Sequence, residues 1–252
     1  MAVVLDGGCR VSTMHEGTPR VSGSLMVWNQ INRGNGAEAI SLRILEFAPG
    51  PSPELRNREC DEVLYVLEGA CTILIDGSTY EVGSETGVYL RPGQTLRVEN
   101  PGPDVVRFVS CQCPEEGLTI APPVDQPVRS EVSPIVKLSD RRALPTADRW
   151  YRVLVDDEIG SEQVTQFVGS IPPGRAPDHF HEYEEVLFIL RGEGRMWAGE
   201  TNTPIAAGSC IYLPKRQVHC VENTGDGELR LLGVFYPAGS PAVRYETTDE
   251  RG

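Results

Sequence analysis

The chain repeats itself, and that repetition limits what it can fold into more than any other feature of its sequence. Glu62-Val-Leu-Tyr-Val-Leu-Glu-Gly69 matches Glu185-Val-Leu-Phe-Ile-Leu-Arg-Gly192. Tyr89-Leu-Arg-Pro-Gly-Gln-Thr-Leu96 matches Tyr212-Leu-Pro-Lys-Arg-Gln-Val-His219, and Val98-Glu-Asn-Pro-Gly102 matches Val221-Glu-Asn-Thr-Gly225. Subtracting 62 from 185, 89 from 212 and 98 from 221 gives 123 each time. A constant offset over some forty residues means two copies of one supersecondary unit, too few for a solenoid. Each copy reads as short strands. Val63 to Leu67 and Val186 to Leu190 are β-branched, aromatic and apolar throughout, as expected of strands covered on both faces. Asp76-Gly77, Arg91-Pro92-Gly93, Pro101-Gly102 and Arg191-Gly-Glu-Gly194 are turn signals at strand-length spacing. The 26 glycines and 20 prolines suit a turn-rich all-β chain, and no window carries a helical period. The stretch from Cys113 to Pro127, rich in proline and acid, reads as a connector. The expected division is an N-terminal barrel over residues 1–113, a linker over 114–130 and a C-terminal barrel over 131–252. The polar tail from Glu246 to Gly252 is expected to fray.

Charge narrows the partners. The formal net charge of −13 would repel nucleic acid and anionic membranes, so neither is an expected partner. No stretch approaches the ~20 apolar residues of a membrane span. The start, MAVVLDGGCR, has neither a basic region nor a long apolar run of the kind that targets secretion. Seven cysteines, at 9, 60, 71, 111, 113, 210 and 220, form no regular framework. Cys111 and Cys113 share a strand face, which suits a metal or redox pair, but no second pair or nearby histidine completes a site, so buried thiols are the expectation. A reducing, cytoplasmic setting follows.

The chemistry concentrates in the second copy. Only four histidines exist, and three fall in one pattern: His179-Phe-His181, then Glu185, then His219. In extended chain, residues two apart point to one side, so His179 and His181 converge and Glu185 keeps their parity. Three imidazoles and one carboxylate suit a first-row divalent metal, with open positions left for water or substrate. Glu184 is read as a solvated neighbour or as an acceptor for a ligand imidazole N–H, and Glu184, Tyr183 and a metal-bound hydroxide as proton-transfer candidates. Phe180, Tyr183, Phe188, Trp197, Tyr212 and Phe235 are candidates for a cavity wall, with Arg175, Arg195 and Arg216 as candidate anchors for an anionic substrate. The fourth histidine, His15, is assigned nothing.

The stretch Gly174-Arg-Ala-Pro-Asp-His179-Phe-His181-Glu-Tyr-Glu-Glu185, then Gly192, resembles the first conserved motif of the cupins. Gly208, Pro214-Lys-Arg-Gln-Val-His219 and Asn223 resemble the second. With the duplication, the whole chain looks like a bicupin, which implies two tandem jelly-roll β-barrels and a small-molecule ligand. The resemblance also implies that His179, His181, Glu185 and His219 bind Fe(II), Mn(II), Ni, Cu or Zn. Two turns depart from the pattern: four residues rather than five separate Gly174 from His179, and Arg216 stands where a glycine is usual. In the first copy the three histidines correspond to Arg56, Arg58 and Leu96, and only Glu62 survives. Neither arginine nor leucine can donate a lone pair, so that barrel is expected to bind no metal. Arg56 and Arg58 are read as a clamp for a carboxylate or phosphate, or as residues of a solvated turn, or with one of them paired to Glu62.

The favoured function is that of a metal-dependent oxidoreductase, dioxygenase-like, acting on a small organic molecule. The alternatives are a metal-dependent isomerase or hydrolase, or a binding module without catalysis. Similarity to the ureidoglycine aminohydrolases lies in the silent first barrel, whereas the His-x-His pattern departs from their ligand set. Cupins commonly pair through their strands, so a homodimer is expected.

Overall fold

The computed structural model describes residues 1–117, 119–120, 132–146 and 148–242. Among these, the helical elements are four single turns of 3-10 helix, Asp6–Gly8, Arg33–Asn35, Leu138–Asp140 and Asp157–Ile159. All other regular structure is antiparallel strand, arranged as two jelly-roll barrels. The first barrel closes a large sheet, ordered Ile135–Lys137, Thr86–Leu90, Asp61–Glu68, Val106–Cys113, Leu42–Phe47, Leu25–Ile31 and Arg20–Ser22, against a smaller one built on Ser78–Gly83, Ala70–Ile75 and Thr95–Asn100. The second closes an eight-stranded sheet, ordered Val3–Val4, Arg10–Thr13, Ser209–Leu213, Glu184–Arg191, Leu229–Tyr236, Thr165–Ile171, Arg149–Val155 and Leu144–Thr146. Its smaller sheet holds Gly174–Arg175, His219–Asn223, Glu193–Ala198 and Thr201–Ala206.

The unbroken apolar runs have a simple cause. The two large sheets pack against each other, so their central strands are buried on both faces. Along Asp61–Glu68, Leu64 and Val66 point into the first barrel, while Val63 and Tyr65 join a cluster between the barrels. Along Glu184–Arg191, Leu187 and Ile189 point into the second barrel, while Val186 and Phe188 join the same inter-barrel cluster. All seven cysteines are buried and unbridged. Cys111 lies in the inter-barrel cluster, where burial pushes its thiol far above the usual range, so it is an inert packing residue.

The barrels are tied together by exchanged strands at both ends of the expected division. Arg10–Thr13 pairs with Ser209–Leu213, and Val3–Val4 adds outside it, so the first thirteen residues belong to the second barrel's sheet. Leu5, Cys9 and Val11 sit in the second barrel's core. Conversely, Ile135–Lys137 extends the first barrel's sheet by pairing with Thr86–Val88. Two-residue and four-residue strands carry little periodicity of their own, so this exchange is set by the sheet edge that receives them. Residues 118 and 121–130 of the expected linker, and the tail from Glu246 to Gly252, lie outside the described residues. The start of the linker is docked: Glu116 accepts the Arg58 N–H at 3.0 Å and also that of Glu59. No helix among the described residues is long and apolar enough to cross a membrane.

Removal of residues 1–13 is therefore expected to damage the distant second barrel rather than the first. Each large aliphatic side chain withdrawn from a core costs roughly 1.5–3 kcal/mol. The truncated protein should lose several kcal/mol in urea titration, with near-ultraviolet signals from Phe167 and Phe235 changing first. An unchanged midpoint would mean that the arm is not part of that core.

Candidate metal centre

The centre is assembled from three elements of the second barrel. His219 begins the His219–Asn223 strand, and His179 lies opposite it in an isolated antiparallel bridge. The two residues exchange both backbone hydrogen bonds, at 3.0 and 2.8 Å, which sets their side chains next to each other on one face. His181 lies two residues further along the incoming segment. Its carbonyl accepts the Arg216 N–H at 2.7 Å. Arg216, the residue in the glycine's usual place, takes φ +63°, the left-handed backbone that glycine favours. The turn geometry thus survives the substitution. Glu185 enters from the Glu184–Arg191 strand on the face that looks into the barrel.

The donor atoms converge. The histidine ligand nitrogens lie within 4.8 Å of one another. Glu185 Oε2 is 3.5 Å from His219 Nε2 and 3.8 Å from His181 Nε2. Two donors about 2.1 Å from a shared ion can be at most ~4.2 Å apart, so the carboxylate and those two imidazoles can reach one cation. Tautomers are set by the backbone. His179 Nδ1 faces the Pro177 carbonyl at 3.1 Å and His219 Nδ1 faces that of Gln217 at 2.7 Å. A carbonyl only accepts, so each Nδ1 carries the proton and each Nε2 presents its lone pair inward. Burial, reinforced by the neighbouring imidazoles, lowers His179 to about 3 and keeps it neutral. Burial alone would raise the Glu185 carboxyl, but His219, His181 and His179 outweigh it and hold the group below its usual range. Glu185 Oε2 is buried with no hydrogen bond among the described residues. Imidazole nitrogens gathered beside a buried carboxylate oxygen that has no hydrogen-bond donor fit a divalent cation.

Above these donors lies a cavity of ≈ 90 Å³. Phe235 lines it, as expected from the sequence; the other predicted wall residues do not. Phe188 and Tyr212 belong to the inter-barrel cluster. Trp197 lies under the Arg175 guanidinium at 4.2 Å and donates to Glu222 at 2.8 Å. Phe180 is absent from the wall. The expected anchors are elsewhere too: Arg175 bonds Asp178, Arg195 bonds Asn202 and Arg216 bonds Glu182. Both side-chain proton-transfer candidates are engaged by other partners. Glu184 points to the opposite face from Glu185, as alternation requires, and accepts from the Tyr212 hydroxyl at 2.7 Å and from the Glu38 and Ala39 N–H groups at 2.7 and 2.9 Å. Tyr183 stacks its ring on His181, 4.9 Å between centroids at 11°, and donates its hydroxyl to the Ser240 carbonyl at 3.1 Å. It positions a ligand from behind.

Sequence reasoning missed Arg149, Tyr151, Phe167 and Gly169, which line the cavity. Their strands pair Tyr151 with Gly169 and place Arg149 on the same inward parity. The signal was in the alternation of Arg149-Trp-Tyr-Arg152, but nothing in that stretch marks which face is inside.

Comparison with known proteins gives one consistent picture. A Cupin domain matches residues 43–111 and again residues 167–235. Auxin-binding protein 1 of Arabidopsis thaliana is 34% identical over 86 residues, 30% of this chain and 43% of that protein. The oxalate-binding protein of Thermotoga maritima is 38% identical over 67 residues, 26% of this chain and 55% of that protein. The chain thus matches about half the length of these relatives. Among solved structures, oxalate decarboxylase from Bacillus subtilis superposes with a TM-score of 0.73 at 15% identity, over 90% of this chain and 75% of that one. A structure of oxalate decarboxylase describing its substrate binding mode superposes with a TM-score of 0.76 at 15% identity, over 94% and 79%. At that identity the likeness is one of fold.

The first barrel answers the same position differently. Leu96 is 2% exposed in its core, Arg58 is exposed, and Arg56 pairs its backbone with Thr95. The partner of Glu62 is neither arginine of that turn. It is the buried Arg43, whose Nη2 lies 2.7 Å from Glu62 Oε1 and 2.8 Å from Ser110 Oγ. Register identifies the counterpart of Arg43. Arg43 faces Ser110 and Phe167 faces Gly233, and Ser110 and Gly233 are one repeat apart. A Cβ on Gly233 would fall 2.2 Å from the Phe167 ring, so glycine makes room for the aromatic there. A guanidinium therefore neutralises the surviving carboxylate of the first barrel from within. Arg43→Met should cost about 3–5 kcal/mol in urea unfolding, because Glu62 is left buried without its cation. Arg43→Met combined with Glu62→Gln should recover most of that loss; equal destabilisation by the single and double variants would refute the pairing as the cause.

Proposed function

The chain belongs to the cupin family as a bicupin, and from that premise we propose that its second barrel is a divalent-metal-dependent oxidation site for a small organic molecule. The observation that carries the reading is the make-up of the cavity. His179, His181, Glu185 and His219 converge at its floor, and Glu185 is the only carboxylate on its wall among the described residues. Isomerases and hydrolases need a positioned acid or base, a part that metal-bound hydroxide alone would have to play here. Glu184 and Tyr183, the groups that would have supplied one, are committed elsewhere. An oxidation run on dioxygen places less demand on such a group, and the dioxygenase-like reading is favoured for that reason.

His179, His181, Glu185 and His219 would hold the ion, and a redox-active metal of the Fe(II), Mn(II) or Cu kind would supply electron transfer and Lewis acidity there. The rest falls to the chain. Backbone carbonyls at Pro177 and Gln217 fix two imidazoles with their lone pairs inward. Tyr183 backs the third. Phe167, Ile171 and Phe235 make the wall apolar, which excludes water and strengthens every electrostatic contact inside. Two curated relatives are named for binding auxin and oxalate, which supports a small organic ligand in this barrel. Seven unbridged cysteines support a reducing compartment such as the cytoplasm.

His181→Ala should release most of the bound metal while far-ultraviolet dichroism and the unfolding midpoint stay close to wild type, since the β core forms without the ion. Metal analysis and calorimetry check this. In an oxygen electrode, the iron- or manganese-loaded protein should consume dioxygen with a substrate, and His181→Ala should not. Turnover without oxygen uptake would overturn the oxidative reading. Unfolding on metal removal would instead assign the ion a structural role.

A further inference from the structure

The two barrels share an ancestor unit but not an interior, and their differences cluster on one wall. Strand pairing gives the correspondences directly. Leu45 faces Phe108 in the first barrel, Gly169 faces Leu231 in the second, and Phe108 and Leu231 are one repeat apart. Gly169 thus stands where the first barrel has a fully buried leucine. Val27 faces Leu45 as Tyr151 faces Gly169, so Tyr151 stands in the place of Val27. Two residues earlier on the same strand face, Arg149 stands in the place of Leu25, which is 0% exposed. The leucine-to-glycine difference opens the interior. The leucine-to-arginine difference puts a fixed positive charge on its wall. Arg149 lines the cavity with the three histidines, and its side chain is 11% exposed. Its Nε is 3.4 Å from the carboxylate of Asp148, whose side chain is 69% exposed.

From this we infer that Arg149 is the residue that binds the substrate's charged end, and that the substrate is a small monocarboxylic acid with an apolar body. The inference rests on the reading of the second barrel as a small-molecule site. Arg149 is the only guanidinium or ammonium on the wall among the described residues, and a guanidinium meets a carboxylate with two parallel N–H bonds. The remaining surface is set by Tyr151, Phe167, Ile171, Leu187 and Phe235, which offer an organic anion apolar contact and no second cation. In the absence of the ion, a dianion without carbon bulk, such as oxalate, would satisfy Arg149 but leave one charge against that apolar wall, where desolvation is costly. An acid with an aromatic or branched body fills both parts of the site.

The test uses isobutyrate and benzoate, their neutral amides isobutyramide and benzamide, and oxalate. Calorimetry is run on the full chain, metal-free and metal-loaded, with metal content measured in every sample. The expected result on metal-free wild type is saturable binding of at least one acid, at least about tenfold tighter than its amide, as a charge-assisted hydrogen bond provides. Arg149→Met should abolish that preference while leaving amide affinity and metal content unchanged, and Arg149→Lys should restore part of it. Acid and amide binding alike to wild type would overturn the inference, and that comparison needs no variant to fold. So would, on the metal-free protein, undiminished acid affinity in Arg149→Met, oxalate binding more tightly than either apolar acid, or no saturation by any acid. Failure of the metal reading has a different signature: wild type that takes up no metal, whatever the acids do.

Discussion

Everything in this molecule is referred to two strands that have no solvent face. Asp61–Glu68 and Glu184–Arg191 lie within the two large sheets, and from Val63 to Val66 and from Val186 to Ile189 each successive side chain is committed either to a barrel interior or to the contact between barrels. A slip of one residue would exchange those two sets entirely. Polar anchors at the start of each strand hold the register. Asp61 accepts the Tyr89 hydroxyl at 2.6 Å, and one repeat later Glu184 accepts that of Tyr212 at 2.7 Å. Glu184 also takes two backbone N–H groups from the other barrel. Three donors satisfy a carboxylate that would otherwise be costly to bury. Because Glu184 is fastened on one face, Glu185 is delivered to the other. The acid that the sequence suggested as a participant in chemistry is instead what places the acid beside the histidines.

How much of this was legible follows from which forces are local. The repeat, the strand runs and the four donors could be read because each depends on spacing within a few residues or on a gap-free offset. Parity set Glu185 on the side of the histidines, whereas Glu184 was read as a partner of theirs, and its carboxylate is bonded to Tyr212 and the Glu38 and Ala39 N–H groups instead. The exchanged strands were not legible. Val3–Val4 and Arg10–Thr13 are short and find their partner some two hundred residues away, so their own sequence says nothing of the sheet that receives them. The cavity wall was hidden for another reason. Downstream of Glu62 the copies align at 123, whereas Leu45 and Gly169 are 124 apart, as are Arg43 and Phe167. The second copy is one residue shorter between Gly169 and Glu185 than the first between Leu45 and Glu62, so Arg149 never aligned with Leu25 by offset. Hydrogen-bond register recovers the match because it counts partners rather than positions.

The two barrels are alternative solutions to one problem, a carboxylate left facing an apolar interior. In the first, Arg43 reaches across from a neighbouring strand and Ser110 adds a hydroxyl, so the charge is neutralised without an ion. Leu25, Leu45 and Leu96 then fill the remaining space. In the second, the position of Arg43 is held by a phenylalanine, and three imidazoles surround the carboxylate with their lone pairs available. The guanidinium and the histidines exclude each other, since a permanent cation beside Glu62 would repel a metal from the same place.

A closed structural metal site needs its ligands and nothing more, so volume beside the donors is informative. Exchanging a buried leucine for a smaller residue gives up about 2–5 kcal/mol in an ordinary core. The second barrel carries glycine at 169 where the first packs Leu45, and the space this leaves opens directly onto the donor cluster. A protein with 5–15 kcal/mol of stability has little reason to keep such a void unless something occupies it. The void, the arginine on its wall and the donors beside it belong to the same barrel; in the barrel without the donors, Leu25 and Leu45 stand at the positions of Arg149 and Gly169. That joint presence supports the proposal of a ligand-binding metal site over that of an ion that would only hold strands together.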